Sequence, residues 1–257
     1  MVIDVITYNG EYDLFDLRYN ILKDHVDQFI VVEFDKTFSG KEKPWYFDDI
    51  SSKYDKVSHC KITQDTYNKY TDLALSSPNT EYGKGAEHWV REFCQKESIK
   101  DCLTHLQDDD IVCIGDCDEI LDLKGAQFDN VHVWKAKLLV YTYYLNQRSS
   151  EEFYGPIVSA YKNVKKSVLN YLRSDISTKA WVCPGWHFTS LKDGLRRKLE
   201  DSYTNETYAT DAVLGNLDEN IANNKDFLGR DFTYKIDESE WPQYLKDNRD
   251  KYAHLCK

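Results

Sequence analysis

No run of about 18 apolar residues occurs in the 257-residue sequence, so no segment predicts a membrane-spanning helix. The N-terminus, Met-Val-Ile-Asp-Val-Ile-Thr, lacks the basic region and the cleavable apolar core of a secretory leader. Positive charge is in deficit. The 33 Lys and Arg face 44 Asp and Glu, giving a net charge of −11, which opposes nucleic acid or an anionic membrane surface as a partner. Cys-x-x-Cys pairs are absent, so the seven Cys, at 60, 94, 102, 113, 117, 183 and 256, give little support to a zinc site. Their odd number and their placement inside apolar patterns read as free thiols in a reducing compartment, and a cytoplasmic location is expected. The Asn-x-Thr sequon at Asn205 is then incidental. No internal repeat or low-complexity tract is present.

What is there is globular. Hydrophobic residues make up 41% and charged residues 30%, in a chain long enough to bury a sizeable core. The 19 Tyr, 11 Phe and 6 Trp provide faces for packing and for stacking on bases or sugars. Residues 2–7 and the β-branched run 28–34 predict strands, with an amphipathic helix over 11–24 between them and a third strand at 57–62. Strand–helix–strand at this spacing predicts a parallel α/β sheet. A polar loop follows over 68–87, then a helix over 88–106. Strands are expected within 131–145, at 157–161 and at 180–182. A helix is expected over 191–202, with weaker helical pattern at 218–228 and 242–255.

Residues 111–119, Ile-Val-Cys-Ile-Gly-Asp-Cys-Asp-Glu, carry the most chemistry. The strand Ile111–Ile114 leads through a turn at Gly115 into Asp116, Asp118 and Glu119. Hard carboxylate oxygens at the carboxyl end of a central strand suit Mg²⁺ or Mn²⁺ and, through the metal, a diphosphate. An acidic surface turn is the plainer reading. Glu92 and Lys96 form either an i,i+4 ion pair at the edge of a helix stripe or a cation reaching the diphosphate with Glu92 holding it. The segment Cys183-Pro-Gly-Trp-His-Phe188 sets an imidazole between two large rings, either as a hydrogen-bonded core histidine or as a metal ligand beside Asp118. Arg196, Arg197 and Lys198 read as a solvated helix face or a phosphate receiver.

Several segments, in order along residues 4–252, resemble glycosyltransferase family 17, which contains the bisecting β-1,4-mannosyl-glycoprotein N-acetylglucosaminyltransferases. They are Tyr8-Asn-Gly-Glu-Tyr-Asp-Leu-Phe-Asp-Leu-Arg18, His25-Val-Asp-Gln-Phe-Ile-Val-Val-Glu33, Lys36-Thr-Phe-Ser-Gly-Lys-Glu-Lys-Pro44, Trp89-Val-Arg-Glu-Phe-Cys-Gln-Lys96, Gly115-Asp-Cys-Asp-Glu-Ile120, Pro184-Gly-Trp-His-Phe188 and Trp241-Pro-Gln-Tyr-Leu-Lys-Asp-Asn248. The resemblance implies a single GT-A-like α/β domain over 1–257, with a nucleotide-sugar half at about 1–120 and an acceptor half at about 121–257. It implies a UDP-sugar donor, a divalent ion (Mn²⁺ or Mg²⁺), a glycan acceptor and inversion at the anomeric carbon. Carried onto this sequence, the ion is assigned to Asp116, Asp118 and His187. Donor binding falls to Tyr8, Glu11, Glu33, Glu92, Gln95, Lys96 and Asp116. The general base is sought among Glu119, Asp211 and Glu33. Lys96 stands where the family has Arg, which keeps the charge and loses the bidentate fork. The missing anchor and leader set the chain apart from the Golgi members and suit a soluble bacterial or viral enzyme. Rival readings are a sugar-phosphate nucleotidyltransferase, which would carry a Gly-rich basic loop where residues 7–18 have only Gly10 and Arg18, and a non-catalytic glycan-binding module.

Overall fold

The computed structural model describes residues 1–77, 86–174, 179–181, 185–203 and 208–257. Near the N-terminus the apolar runs become β1 Val2–Thr7, β2 Gln28–Phe34 and β3 Val57–Ile62, with helix α1 Tyr12–Leu22 between the first two. β1 and β2 are buried along most of their length and pair in parallel, as strands covered on both faces do. α2 spans Glu87–Ser98. The helix expected over 88–106 is corrected at its end, where Ile99–Leu103 tightens into a 3₁₀ turn. β4 runs Ile111–Asp116, so Gly115 lies inside the strand and not at the reversal. The reversal falls on Cys117 and Asp118, and β5 begins at Glu119 and ends at Leu121.

The second half supplies β6 Val133–Thr142, β7 Gln147–Ala160, α3 Leu169–Ser174, β8 Lys179–Trp181, β9 Gly185–Thr189, α4 Lys192–Ser202 and β10 Tyr234–Ile236. Trp186, His187 and Phe188 therefore sit on a strand. Cys183, Pro184 and Asn205 lie outside the described residues, as does part of the loop read over 68–87. The helical pattern at 218–228 shrinks to Leu217–Ala222, and that at 242–255 divides into Gln243–Asp247 and a 3₁₀ turn Arg249–Leu255.

One ten-stranded sheet joins these strands in the order β3-β2-β1-β4-β7-β6-β9-β5, with β10 on β7 and β8 on β6. β3, β2, β1 and β4 are parallel, β7 is antiparallel to both β4 and β6, and β9 is parallel to β6. β5 ends the path, antiparallel to β9, although only Cys117 and Asp118 separate it from β4. Two residues span at most about 10 Å between their flanking Cα atoms. The mixed sheet must therefore curl back on itself at the acidic corner. Across residue 120 the sheet is continuous, since β4 pairs with β7 and β5 with β9.

Alternation along β1 sends Ile3 and Val5 into one apolar cluster, with Ile30, Val32, Phe93 and Leu103, and Ile6 into the other, with Phe15, Phe29, Tyr141 and Phe188. A third, smaller cluster of Tyr143, Leu195, Leu199, Ile221 and Phe227 seats α4 on the end of β6. The reading of the cysteines as reduced thiols is corrected at one pair, since Cys60 of β3 forms a disulfide with Cys102 in the 3₁₀ turn after α2. Cys94, Cys113 and Cys117 are buried free thiols. The disulfide removes the thiol argument for a reducing compartment, because such bonds persist in oxidising ones. Among the described residues no helix is long and apolar enough to cross a membrane.

Candidate active site at the curl of the sheet

Where the sheet curls, a cleft of about 880 Å³ opens between the carboxyl ends of β1, β4, β6 and β9 and helix α4. The turn that brings Asp116 and Asp118 to it is pinned from beneath by a buried arginine. Arg18 of α1 is fully buried and pairs through Nε and Nη2 with both carboxylate oxygens of Asp4, each at 2.7 Å. Its Nη1 donates to the carbonyls of Asp116 at 2.7 Å and Glu119 at 2.8 Å, on either side of the turn.

Asp116 accepts from the Thr7 hydroxyl at 2.6 Å and from Arg173 Nη2 at 3.1 Å, and lies 4.0 Å from Lys96 Nζ. Burial opposes its ionisation, but Lys96 and Arg173 overcome that and hold the carboxyl well below the usual range. Asp118 accepts from Lys198 Nζ at 2.6 Å, and its other oxygen is 3.6 Å from His187 Nε2. Here too burial acts against the charge, and Lys198 and His187 more than offset it. The two carboxylates therefore point to different cation sets. Arg173 comes from α3 and Lys198 from α4, positions that no local pattern connects to the corner.

Glu119 is 1% exposed. It accepts from the amide of Asp116 at 2.9 Å and from Arg173 Nη2 at 2.9 Å. Its carboxylate fits only because both flanking residues are glycines, since a Cβ on Gly115 or Gly155 would lie 2.8 Å from its oxygens. A carboxylate so fully engaged holds the corner in shape, and it also lines the cleft. Glu33, also sought as a base or donor ligand, is fully buried on β2. It accepts from Lys43 at 2.8 Å and from the amides of Tyr46 and Phe47, and meets His59 at 3.0 Å. Glu33 does not line the cleft, whereas the Lys43 that it orients does. Asp211 does not line the cleft either.

Of the residues expected to bind donor, Tyr8, Glu11, Gln95 and Asp116 line the cleft. Burial raises the proton affinity of both Tyr8 and Glu11. Gln95 is held by a hydrogen bond from Nε2 to the Lys36 carbonyl at 2.9 Å. Lys96 pairs with Glu92 at 2.7 Å and borders a separate void of about 10 Å³ behind Asp116, one layer back from the cleft. Both readings of that ion pair meet here: it is an i,i+4 pair, and it also sets the charge of Asp116. Across the mouth, Asn9 ties the β1–α1 loop to α4, donating from Nδ2 to Asp201 at 3.1 Å and accepting at its carbonyl from Arg197 at 2.8 Å.

The three-residue ion cage expected from Asp116, Asp118 and His187 is not assembled: among the described residues no group of three His, Cys, Asp or Glu side chains converges as metal ligands. The pair Asp118 and His187 does fit an ion. With Oδ1 and Nε2 3.6 Å apart, one divalent cation at about 2.1 Å can touch both, leaving its other positions for water and phosphate oxygens.

A family model described as Glycosyltransferase family 17 matches residues 1–189, a stretch that contains β1 through β9 and the whole acidic corner. The chain belongs to glycosyltransferase family 17. It is also similar to the human β-1,4-mannosyl-glycoprotein 4-β-N-acetylglucosaminyltransferase, with 30% identity over 130 residues, 49% of this chain and 23% of the relative. The rat and mouse enzymes of the same name match over the same shares at 30% and 29% identity. The matched region thus spans less than a quarter of these relatives. α4, which contributes Lys198 and Arg197 to the cleft, lies beyond the family match.

Proposed function

We propose that the protein transfers a sugar, N-acetylglucosamine first among candidates, from a UDP-sugar to a glycan hydroxyl with inversion at the anomeric carbon. The observation that carries this reading is the placement of Asp118, with His187 and Lys198 on either side of it, at the floor of a cleft in a family 17 chain. Lys198 and Arg197 stand over the floor as cations for the diphosphate, and Lys43 lines the nucleotide end. Tyr8, Asn9 and Glu11, at the end of β1, face the nucleoside. A divalent ion held by Asp118 and His187 would supply positive charge to the leaving diphosphate.

The acceptor hydroxyl attacks the anomeric carbon from the face opposite the diphosphate and gives its proton to a cleft carboxylate. Glu151 and Asp193 line the cleft and are the residues to examine as that base, in place of Glu33 and Asp211. The human, rat and mouse relatives are named for N-acetylglucosamine transfer to a mannosyl glycoprotein, which supports the sugar and leaves the acceptor to be identified.

The test is turnover of UDP-N-acetylglucosamine with Mn²⁺, by hydrolysis and by transfer to a panel of glycans. Wild type is expected to release UDP, and Asp118→Ala to lose at least a hundredfold in rate. Equal turnover in the variant overturns the site. Pyrophosphate release from UTP and a sugar phosphate would favour a nucleotidyltransferase instead, and failure to bind UDP would leave a glycan-binding module.

A further inference from the structure

Two buried polar atoms on the cleft floor have no partner. Thr142 is 3% exposed and its Oγ1 makes no hydrogen bond, and His187 is 9% exposed with Nδ1 unpaired. Native structures rarely leave such atoms unsatisfied, and each one left so costs stability. Strand register places them together. β6 and β9 pair in parallel with Val140 opposite His187 and Thr142 opposite Thr189, so all four side chains share one sheet face, and Thr142, His187 and Thr189 line the cleft. Both strands end there in left-handed backbone: Tyr143, after Thr142, has φ 70°, and Ser190, after Thr189, has φ 52°. Non-glycine residues hold that conformation at a cost and are concentrated at functional sites. The Phe153 ring packs 4.1 Å from the His187 ring and lines the same cleft.

We infer that Thr142 and His187 Nδ1, beside the Phe153 ring, form the subsite for the pyranose of the donor, each taking a hydrogen bond from or to its ring substituents. This rests on the sugar-transfer reading above. The position follows from covalent reach. The pyranose is bonded directly to the diphosphate, which that reading sets at Asp118 and Lys198, and His187 is adjacent to Asp118. Thr142 lies two residues further along than His187 and one strand across from it, so steps of about 6.6 Å and about 4.8 Å set them about 8 Å apart, a span that one pyranose with its substituents can bridge. The apolar Phe153 face suits the C–H side of a pyranose, and the two orphan atoms suit its hydroxyl or acetamido groups. Thr142 and His187 become specificity-determining residues for the transferred sugar.

The experiment compares UDP with UDP-N-acetylglucosamine by calorimetry in Mn²⁺, for wild type, Thr142→Val and Thr142→Ser. The valine keeps the shape and removes the hydroxyl. Its affinity for UDP should stay within twofold of wild type while its affinity for UDP-N-acetylglucosamine falls about tenfold. The serine variant should recover most of that loss. Removing an unsatisfied buried hydroxyl should also raise the melting temperature, a gain that a merely structural hydroxyl would not give. Unchanged binding of the nucleotide sugar in the valine variant overturns the subsite, and so does a parallel loss for UDP and the nucleotide sugar. If wild type binds neither ligand, the sugar-transfer reading itself fails and the subsite falls with it.

Discussion

Arg18 and Asp4 form a two-pronged ion pair at 2.7 Å with both side chains wholly out of solvent, directly beneath the Asp116–Glu119 turn. Breaking one half of such a pair leaves an uncompensated buried charge, which costs about 3–5 kcal/mol. Arg18→Met should therefore lower the urea midpoint sharply. The double variant Arg18→Met with Asp4→Leu should recover part of the loss. A drop below about 1 kcal/mol in the single variant would show that water reaches Asp4.

Gly155 should tolerate no side chain. A Cβ there would lie 2.3 Å from the Phe153 ring and 2.8 Å from Glu119. Gly155→Ala is expected to destabilise the protein by about 1–3 kcal/mol, the usual cost of overpacking, and to weaken nucleotide-sugar binding by moving Phe153. Thermal melts and calorimetry on the same sample separate the two effects. A variant with wild-type stability contradicts the packing described.

Lys198→Met should weaken UDP binding at least tenfold while leaving the fold intact, because Lys198 is half-exposed and its principal partner is Asp118. The salt dependence of UDP binding should flatten in the same variant. Equal affinities in wild type and variant would move the diphosphate away from α4.

The Cys60–Cys102 disulfide joins residues 42 apart in sequence. On the loop-closure account a cross-link of that span stabilises by about 4 kcal/mol. Reduction, or Cys102→Ser, should lower the stability by about 2–4 kcal/mol in free energy. Indifference to reductant would mean that the pair is not oxidised in solution.

Acid should act through Asp118 in one direction and Glu11 in the other. The proton affinity of Asp118 falls on folding, since Lys198 and His187 outweigh its burial. The stability it contributes is present above the unfolded pKa of about 3.9 and is lost as pH drops below that toward the folded value. Burial raises Glu11, so its contribution is full below about pH 4.3 and fades as pH rises through its folded pKa. Stability curves from about pH 1.5 to 8 check both. Asp118→Asn should flatten the acid limb, and Glu11→Gln should add stability towards neutral pH. Superimposable curves for all three proteins would refute the assignments.

The strands β1 to β3, helix α1 and the acidic corner were legible because each is a local pattern: a β-branched run, a 3.6-residue stripe, or carboxylates after an apolar strand. Helix α4 was legible for the same reason, and its Lys198 entered as a possible phosphate receiver. Arg173 was not legible, since it reaches Asp116 from 57 residues away with no motif around it. Arg18 stood inside a recognised segment, yet nothing local shows that it holds the carbonyls of a turn 98 and 101 residues on. Glu33 misled for the opposite reason. A carboxylate at the end of a strand is a reasonable ligand until Lys43, His59 and two amides are seen to occupy it. Gly115 misled as well: its role is to leave room for the Glu119 carboxylate inside the strand, not to turn the chain.

The curl of the sheet also has a consequence for biosynthesis. A ribosome-bound chain that has emerged as far as Leu121 already carries Asp116 and Asp118, but β5 has no partner until β9 is made. Arg173, His187 and Lys198 all arrive later still than the carboxylates they neutralise. Long-range pairings of this kind form slowly and late. The nascent corner therefore has Arg18 beneath it and Lys96 beside Asp116, but Asp118 has no cation until α4 is made, so the charge balance of the corner is a readout of completed folding.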